Sequence, residues 1–283
     1  MIRSTLSKFQ KAFFSLPSSS KDLIRTLDFS RGINSMRRLE RKIVLITGAS
    51  AGIGEACAKE FAAAGSNLIL TARRVDRLER LKSDLSKKYP QVRIHTLQLD
   101  VRDKTNVDKL VPGLPSEFKE VDILVNNAGL VIGLDKINDV TDDAIDTMID
   151  TNVKGLIYVT RAILPGMKER QRGHIINIGS VSGTQVYPGG GIYCASKHAV
   201  NAISRTLLLE LVDTPIRVTE INPGMVETEF SIVRFKGDKE KAGKVYQGFN
   251  PLTGEDIAET IIFAASRPDH VNIAGMFLQE III

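Results

Sequence analysis

The sequence predicts an α/β protein, one doubly wound domain around a seven-stranded parallel sheet. Three observations carry that expectation. Seven short apolar, β-branched runs are spread through residues 41–283. Continuous runs of this kind suit strands covered on both faces, as in a parallel sheet. Between them lie longer stretches whose apolar residues recur at helical spacing, and strand–helix alternation places helices on both faces of one sheet. No long linker, internal repeat or second composition regime breaks the pattern.

The elements follow in order. KIVLITG (42–48) is the first strand, and it runs through TGASAGIG (47–54) into a helix over 53–64. NLILTARR (67–74), RIHTLQLDV (93–101) and DILVNNAG (122–129) are the next three strands, with helices over 75–88, 104–111 and 141–170. HIINIGS (174–180) is the fifth strand; glycines 189–191 sit poorly inside a helix, so the following helix starts at them and spans 191–213. RVTEINPG (217–224) is the sixth strand, 226–247 a lid, 255–266 a helix and MFLQEIII (276–283) the last strand. Three exposed terminal isoleucines would be unusual, so burial in the sheet or at a subunit interface is expected for them.

Composition narrows the function classes. The chain is 43% hydrophobic and 25% charged, as in ordinary soluble proteins. Its +5 charge belongs to the start: residues 1–41 hold nine of the 38 basic and three of the 33 acidic residues, leaving 29 and 30 in the remainder. A near-neutral domain with no basic stripe argues against nucleic acid. No apolar run reaches the ~18 residues of a membrane span. Cys57 and Cys194 stand alone and His95, His174, His198 and His270 are scattered, so no metal motif is present. Residues 1–40 form a basic leader. Ile2, Leu6, Phe9, Phe13 and Leu16 fall at helical spacing among Arg3, Lys8 and Lys11, with no acid before Asp22. This suits a mitochondrial presequence or a disordered, lightly membrane-associating tail. Met36 offers a second start, which leaves mitochondrial and cytoplasmic locations both open.

The glycine loop points to a dinucleotide. Gly48, Gly52 and Gly54 let the backbone turn and approach a pyrophosphate, and the helix N-terminus faces its negative charge, with Ser50 and Ile53 in the same loop. The second strand ends in Arg73 and Arg74, where an NAD-selective chain would carry an acid. Guanidinium groups there can pair with a 2′-phosphate, so NADP is the expected cofactor.

Tyr193 and Lys197 lie one helical turn apart on one face. An ammonium beside a phenol favours its ionisation below the usual value of about 10. Tyr158 and Tyr187 have Ala162 and Gly191 at the matching position and lack that cation. TGASAGIG, NNAG (126–129), TNVKG (151–155), Ser180, Tyr193, Lys197 and PGMVET (223–228) occur in order, and from about residue 40 onward the chain resembles the short-chain dehydrogenase/reductase family. The resemblance implies a Rossmann-type, nicotinamide-dependent oxidoreductase, commonly a dimer or tetramer. It also implies roles: Tyr193 as proton donor or acceptor, Lys197 holding the cofactor ribose, Ser180 (rather than Ser182) holding the substrate oxygen, and Asn152 anchoring a water of the proton relay. Asn127, Asp100 and Val101 would line the cofactor site, with Pro223, Gly224, Val226 and Thr228 beside the nicotinamide.

The lid narrows the substrate. Arg234 and Lys236 stand beside Phe230 and Phe235, a pattern for a small anion rather than a steroid or acyl chain. ETEFSIVRFKG and LPGMKERQRGHIINIGS resemble the NADP-dependent 3-hydroxy acid dehydrogenase branch, which implies a short hydroxy acid such as serine, allo-threonine or 3-hydroxypropionate, or the matching semialdehyde. A carbonyl or 3-oxoacyl reductase with an apolar substrate is the alternative, and a non-catalytic cofactor sensor a further one.

Overall fold

A computed structural model describes residues 37–281. It contains one parallel sheet of seven strands in the order β3-β2-β1-β4-β5-β6-β7. The elements are β1 (Ile43–Thr47), α1 (Gly52–Ala63), β2 (Asn67–Ala72), α2 (Val75–Lys88), β3 (Ile94–Gln98), α3 (Lys104–Asp108), α4 (Leu110–Gly113), β4 (Ile123–Asn126) and α5 (Asp142–Ile149). After a π-helical turn at Asp150–Gly155 come α6 (Leu156–Glu169), β5 (Gly173–Ile178), α7 (Gly191–Glu210), β6 (Ile216–Pro223), α8 (Glu229–Arg234), α9 (Lys239–Lys244), α10 (Gly254–Ala265) and β7 (Gly275–Leu278). The strand order reverses at β1, which pairs with both β2 and β4. A crevice opens at such a switch point, beyond the carboxyl ends of the strands.

Alternation along β1 shows how the two faces are filled. Val44 and Ile46 pack with Phe61 of α1, Leu78 of α2 and Ile257 and Ile261 of α10. Ile43 and Leu45 point the other way, into Val159 and Ile163 of α6 and Leu207 of α7. Both sets are buried, so neither face of the strand meets water. Each buried side chain of this size is worth roughly 1.5–3 kcal/mol. Leu39, ahead of the first strand, is 1% exposed and belongs to the same core as Val44.

Three boundaries differ from expectation. The helix expected over 141–170 is interrupted by the π-helical turn, and that over 104–111 breaks before α4, where Pro112 has no N–H for the carbonyl of Asp108. The last strand is short, pairing with β6 from Gly275 to Leu278, and Ile281 is 78% exposed rather than buried in the sheet. The basic leader, apart from its last four residues, and Met36 lie outside the described residues, as do Ile282 and Ile283.

Candidate active site

A cleft of about 330 Å³ lies along the carboxyl ends of the strands. One end is built from the turn after β1. Gly48 has φ 66, a left-handed conformation open to glycine. Gly54 lies so close to Asn127 Nδ2 and the Gly48 carbonyl that a Cβ would come within 2.5 Å of each. Asn127 fixes this arrangement: its Nδ2 donates to the carbonyls of Thr47 at 2.9 Å and Gly48 at 3.2 Å. Ala51, ahead of α1, supplies no side-chain cap, so first-turn N–H groups remain to meet an anion. Gly48, Ser50, Gly52, Ile53, Asn127, Asp100 and Val101 all line the cleft, as do Arg73 and Arg74 at the end of β2. Arg102 grips Asp100 through both carboxylate oxygens and holds its carboxyl below the usual range.

The middle of the cleft joins β5, α7 and β6. Ser180 follows β5, and its Oγ accepts from Ser182 N at 3.1 Å while donating to the Pro223 carbonyl at 3.4 Å. Ser180, not Ser182, lines the cleft, together with Tyr193, Lys197, Pro223, Gly224, Val226 and Thr228. Tyr193 and Lys197 are 7% and 6% exposed. Lys197 Nζ donates to the Ile178 carbonyl at 2.8 Å and stands 5.9 Å from the centre of the Tyr193 ring.

Burial reverses the expected effect on the phenol. It pushes Tyr193 up to about 12 despite the Ser180 hydroxyl, and the cation that pulls it back is Arg234 rather than Lys197. Burial likewise brings Lys197 down to about 8, against the attraction of Glu220. An ammonium several ångströms from the ring does not outweigh the desolvation of a phenolate.

Asn152 sits inside the π-helical turn and is 2% exposed. Its Nδ2 donates to the Leu130 carbonyl at 2.8 Å and to Ser196 Oγ at 3.0 Å, and its Oδ1 accepts from Leu130 N at 2.9 Å. Both amide hydrogens are thus spent on the loop after β4 and on α7. A water held by Asn152 would need its remaining lone pair or its backbone carbonyl.

The lid closes the far end. Phe230 meets the Tyr193 ring edge-on at 5.7 Å between centres. Arg234 donates from Nη2 to Tyr187 Oη at 2.6 Å, and its Cζ lies 5.7 and 5.9 Å from the ring centres of Tyr187 and Tyr193. Tyr187 therefore does have a neighbouring cation, brought by the fold instead of by helical spacing. The Arg234 Nε is buried and has no partner among the described residues. Arg234 stands beside Tyr193 without itself lining the cleft. Lys236 is the predicted substrate residue that the structure leaves aside: it is exposed, has φ 52, and does not line the cleft. One residue the sequence reading missed is Glu220 of β6, 3% exposed, with Oε2 accepting from Asn201 at 2.8 Å and Oε1 unpartnered among the described residues. Within RVTEINPG it reads as a strand position, and nothing in the pattern marks it as buried behind the site. No group of three potential metal ligands occurs among the described residues, and Cys57 and Cys194 are buried and free.

A glycine loop at a sheet switch point, with a buried Ser–Tyr–Lys set in the same cleft, defines a dinucleotide-dependent oxidoreductase. The chain belongs to the short-chain dehydrogenase family, whose model matches residues 42–239. It is 50% identical over 232 residues to the NADP-dependent 3-hydroxy acid dehydrogenase YdfG of Salmonella typhi, covering 82% of this chain and 92% of that protein. It is 47% identical over 232 residues to sulfoacetaldehyde reductase 2 of Chromohalobacter salexigens, covering 82% and 91%. A solved structure, the closed form of serine dehydrogenase complexed with NADP+, matches with a TM-score of 0.80 and 46% identity, over 83% of this chain and 94% of that one.

Proposed function

We propose that this protein is an NADP-dependent dehydrogenase that interconverts the β-hydroxyl and carbonyl of a short 3-hydroxy acid. The observation that carries the substrate class is Arg234, a half-buried guanidinium with a spare buried N–H, next to the ring of Tyr193. Left-handed Gly48, the uncapped start of α1 and the arginines after β2 suit a dinucleotide with a 2′-phosphate. When bound, that cofactor supplies or accepts the hydride. Tyr193 gives the carbonyl oxygen its proton in reduction and takes one back in oxidation; Ser180 holds that oxygen. Lys197 contributes positive charge beside them, and Arg234 orients the substrate anion. The relatives' printed names span a 3-hydroxy acid and a sulfonated aldehyde, and both chemistries place an anion near the reacting carbon.

Purified protein assayed at 340 nm with L-serine, L-allo-threonine, 3-hydroxypropionate and sulfoacetaldehyde, each with NADP(H) and NAD(H), tests this. Turnover is expected with the phosphorylated cofactor. Tyr193→Phe lowers kcat by about 10²–10⁴-fold. Arg234→Ala raises KM by roughly ten- to a hundredfold, the loss of one charge-assisted hydrogen bond. Turnover of apolar ketones alone, indifferent to Arg234, would favour the carbonyl-reductase reading, which Leu130 and Phe230, apolar residues of the cleft lining, support.

No helix of the described residues is long and apolar enough to cross a membrane. The assembly we propose is a homo-oligomer, dimer or tetramer, covering exposed Phe263, Phe277, Leu209 and Val212; light scattering reads its mass. The basic leader supports a mitochondrial location, and the N-terminal sequence of the protein isolated from cells decides between that and the cytoplasm.

A further inference from the structure

The lid starts with a carboxylate that reaches back to the cofactor end. Glu229 is the first residue of α8, behind Thr228, whose side chain caps the helix by accepting from Phe230 N. Its Oε2 accepts from Arg74 Nη1 at 2.9 Å, and Arg77 Nη1 donates to Oε1 and Oε2 at 2.7 and 2.8 Å. Arg74 also donates from Nε and Nη2 to Ser50 Oγ at 3.3 and 3.2 Å. Residues 155 positions apart thereby close a bridge from the glycine loop, over the end of β2, to the lid. Ser50, Arg73, Arg74 and Glu229 line one end of the same cleft. Arg77 and Arg74 hold the Glu229 carboxyl below its ordinary range.

This bridge stands where the residues place the 2′-phosphate, and the inference rests on that reading of Arg73 and Arg74. A phosphate and a carboxylate compete for one guanidinium edge and repel each other. We propose that Glu229 is a lid-borne competitor of the 2′-phosphate, which must displace it from Arg74 and leaves it only Arg77, so that the group NAD lacks is what loosens the start of the lid. The exchange runs in the right direction. Glu229 and Arg74 are 41% and 45% exposed, so their pair is weak and screened. A phosphate carries roughly twice the charge and more acceptor oxygens.

The consequences separate the two ideas. Glu229→Gln keeps the shape and removes the competing charge: NADPH binding, followed by its fluorescence, tightens about two- to fivefold while NADH binding stays unchanged. Arg73→Ala tests the phosphate assignment alone, because Arg73 makes no ion pair among the described residues and takes no part in the bridge. It weakens NADPH but not NADH. The lid carries trypsin sites at Arg234, Lys236, Lys239, Lys241 and Lys244. In the unaltered protein 2′,5′-ADP speeds cleavage there and 5′-AMP does not; in Glu229→Gln cleavage is fast with neither. Weaker NADPH binding by Glu229→Gln would overturn the proposal, because Glu229 would then be organising the arginines. So would lid cleavage indifferent to 2′,5′-ADP that binds. An unchanged NADPH-to-NADH preference in Arg73→Ala would instead remove the phosphate assignment beneath it.

Discussion

Lys197 carries its ammonium into a place where burial makes charge costly, and that fixes the order in which the site titrates. Burial lowers Lys197 to about 8 and raises Tyr193 to about 12. As pH rises, the ammonium therefore loses its proton while the phenol keeps its own. For reduction, kcat/KM should fall with an alkaline limb near pH 8, since the lost charge no longer supports the developing oxyanion. Glu220 of β6 faces Lys197 and Arg205 of α7, and its own carboxyl is pushed up chiefly by burial. Its attraction raises Lys197. Glu220→Gln removes that attraction, so the limb moves to lower pH; a limb that stays put would show that Glu220 only fills space. The pH profile separates this from general loss of packing, which would lower the plateau without moving the limb. The Tyr193–Lys197 pair was legible because one helical turn is local geometry. The sign of its effect on the phenol was not, because desolvation depends on what α8 and the loop after β4 lay over it.

At the scale of an element, the π-helical turn between α5 and α6 shows how a local irregularity serves the site. One extra residue per turn lets Asn152 face Leu130 and Ser196 together, and such turns recur at functional sites. Asn152 thereby joins the loop after β4 to the helix that carries Tyr193. Asn152→Ala leaves the Leu130 N–H and carbonyl without their side-chain partners, and the protein should lose about 1–3 kcal/mol in denaturant titration. Asn152→Asp cannot donate, so it should lose comparable stability although its volume is the same. Equal stability of both variants with the original would show that the loop finds other partners. TNVKG marked this stretch as part of a family pattern, yet the break in the helix was not visible: the apolar spacing over 141–170 runs through it without a proline or glycine pair at the turn. The lid failed for a related reason. Arg234 and Lys236 are two residues apart, and only the backbone of the turn after α8, left-handed at Lys236, decides that one meets Tyr193 while the other faces solvent.

For the whole molecule, strand and helix patterning set the seven-stranded parallel sheet, because each strand needs both faces covered and only alternating helices supply that. What patterning could not supply were contacts between distant segments: Glu229 with Arg74, Arg234 with Tyr187, Glu220 behind Lys197. Each joins residues tens of positions apart with no shared motif. The edge of the domain is of the same kind. Leu39 precedes the first strand and reads as the tail end of the basic leader, yet it is 1% exposed in the core that holds Val44, Phe61 and Ile261. Its carbonyl accepts from Ser66 Oγ at 2.7 Å, and the neighbouring Arg38 donates from Nη1 to the Ser266 carbonyl at the end of α10 at 2.9 Å. The folded unit therefore starts ahead of residue 41. Leu39→Ala should cost about 2–5 kcal/mol, the range for a buried leucine whose cavity collapses incompletely. Thermal unfolding would register this as a Tm lowered by roughly 4–20 °C for a domain of this size. Arg38→Ala removes one exposed-side hydrogen bond and should cost about 1 kcal/mol. If Leu39→Ala instead leaves Tm unchanged, the segment before β1 contributes nothing to the core, and the domain begins at the first strand as its sequence pattern alone implies.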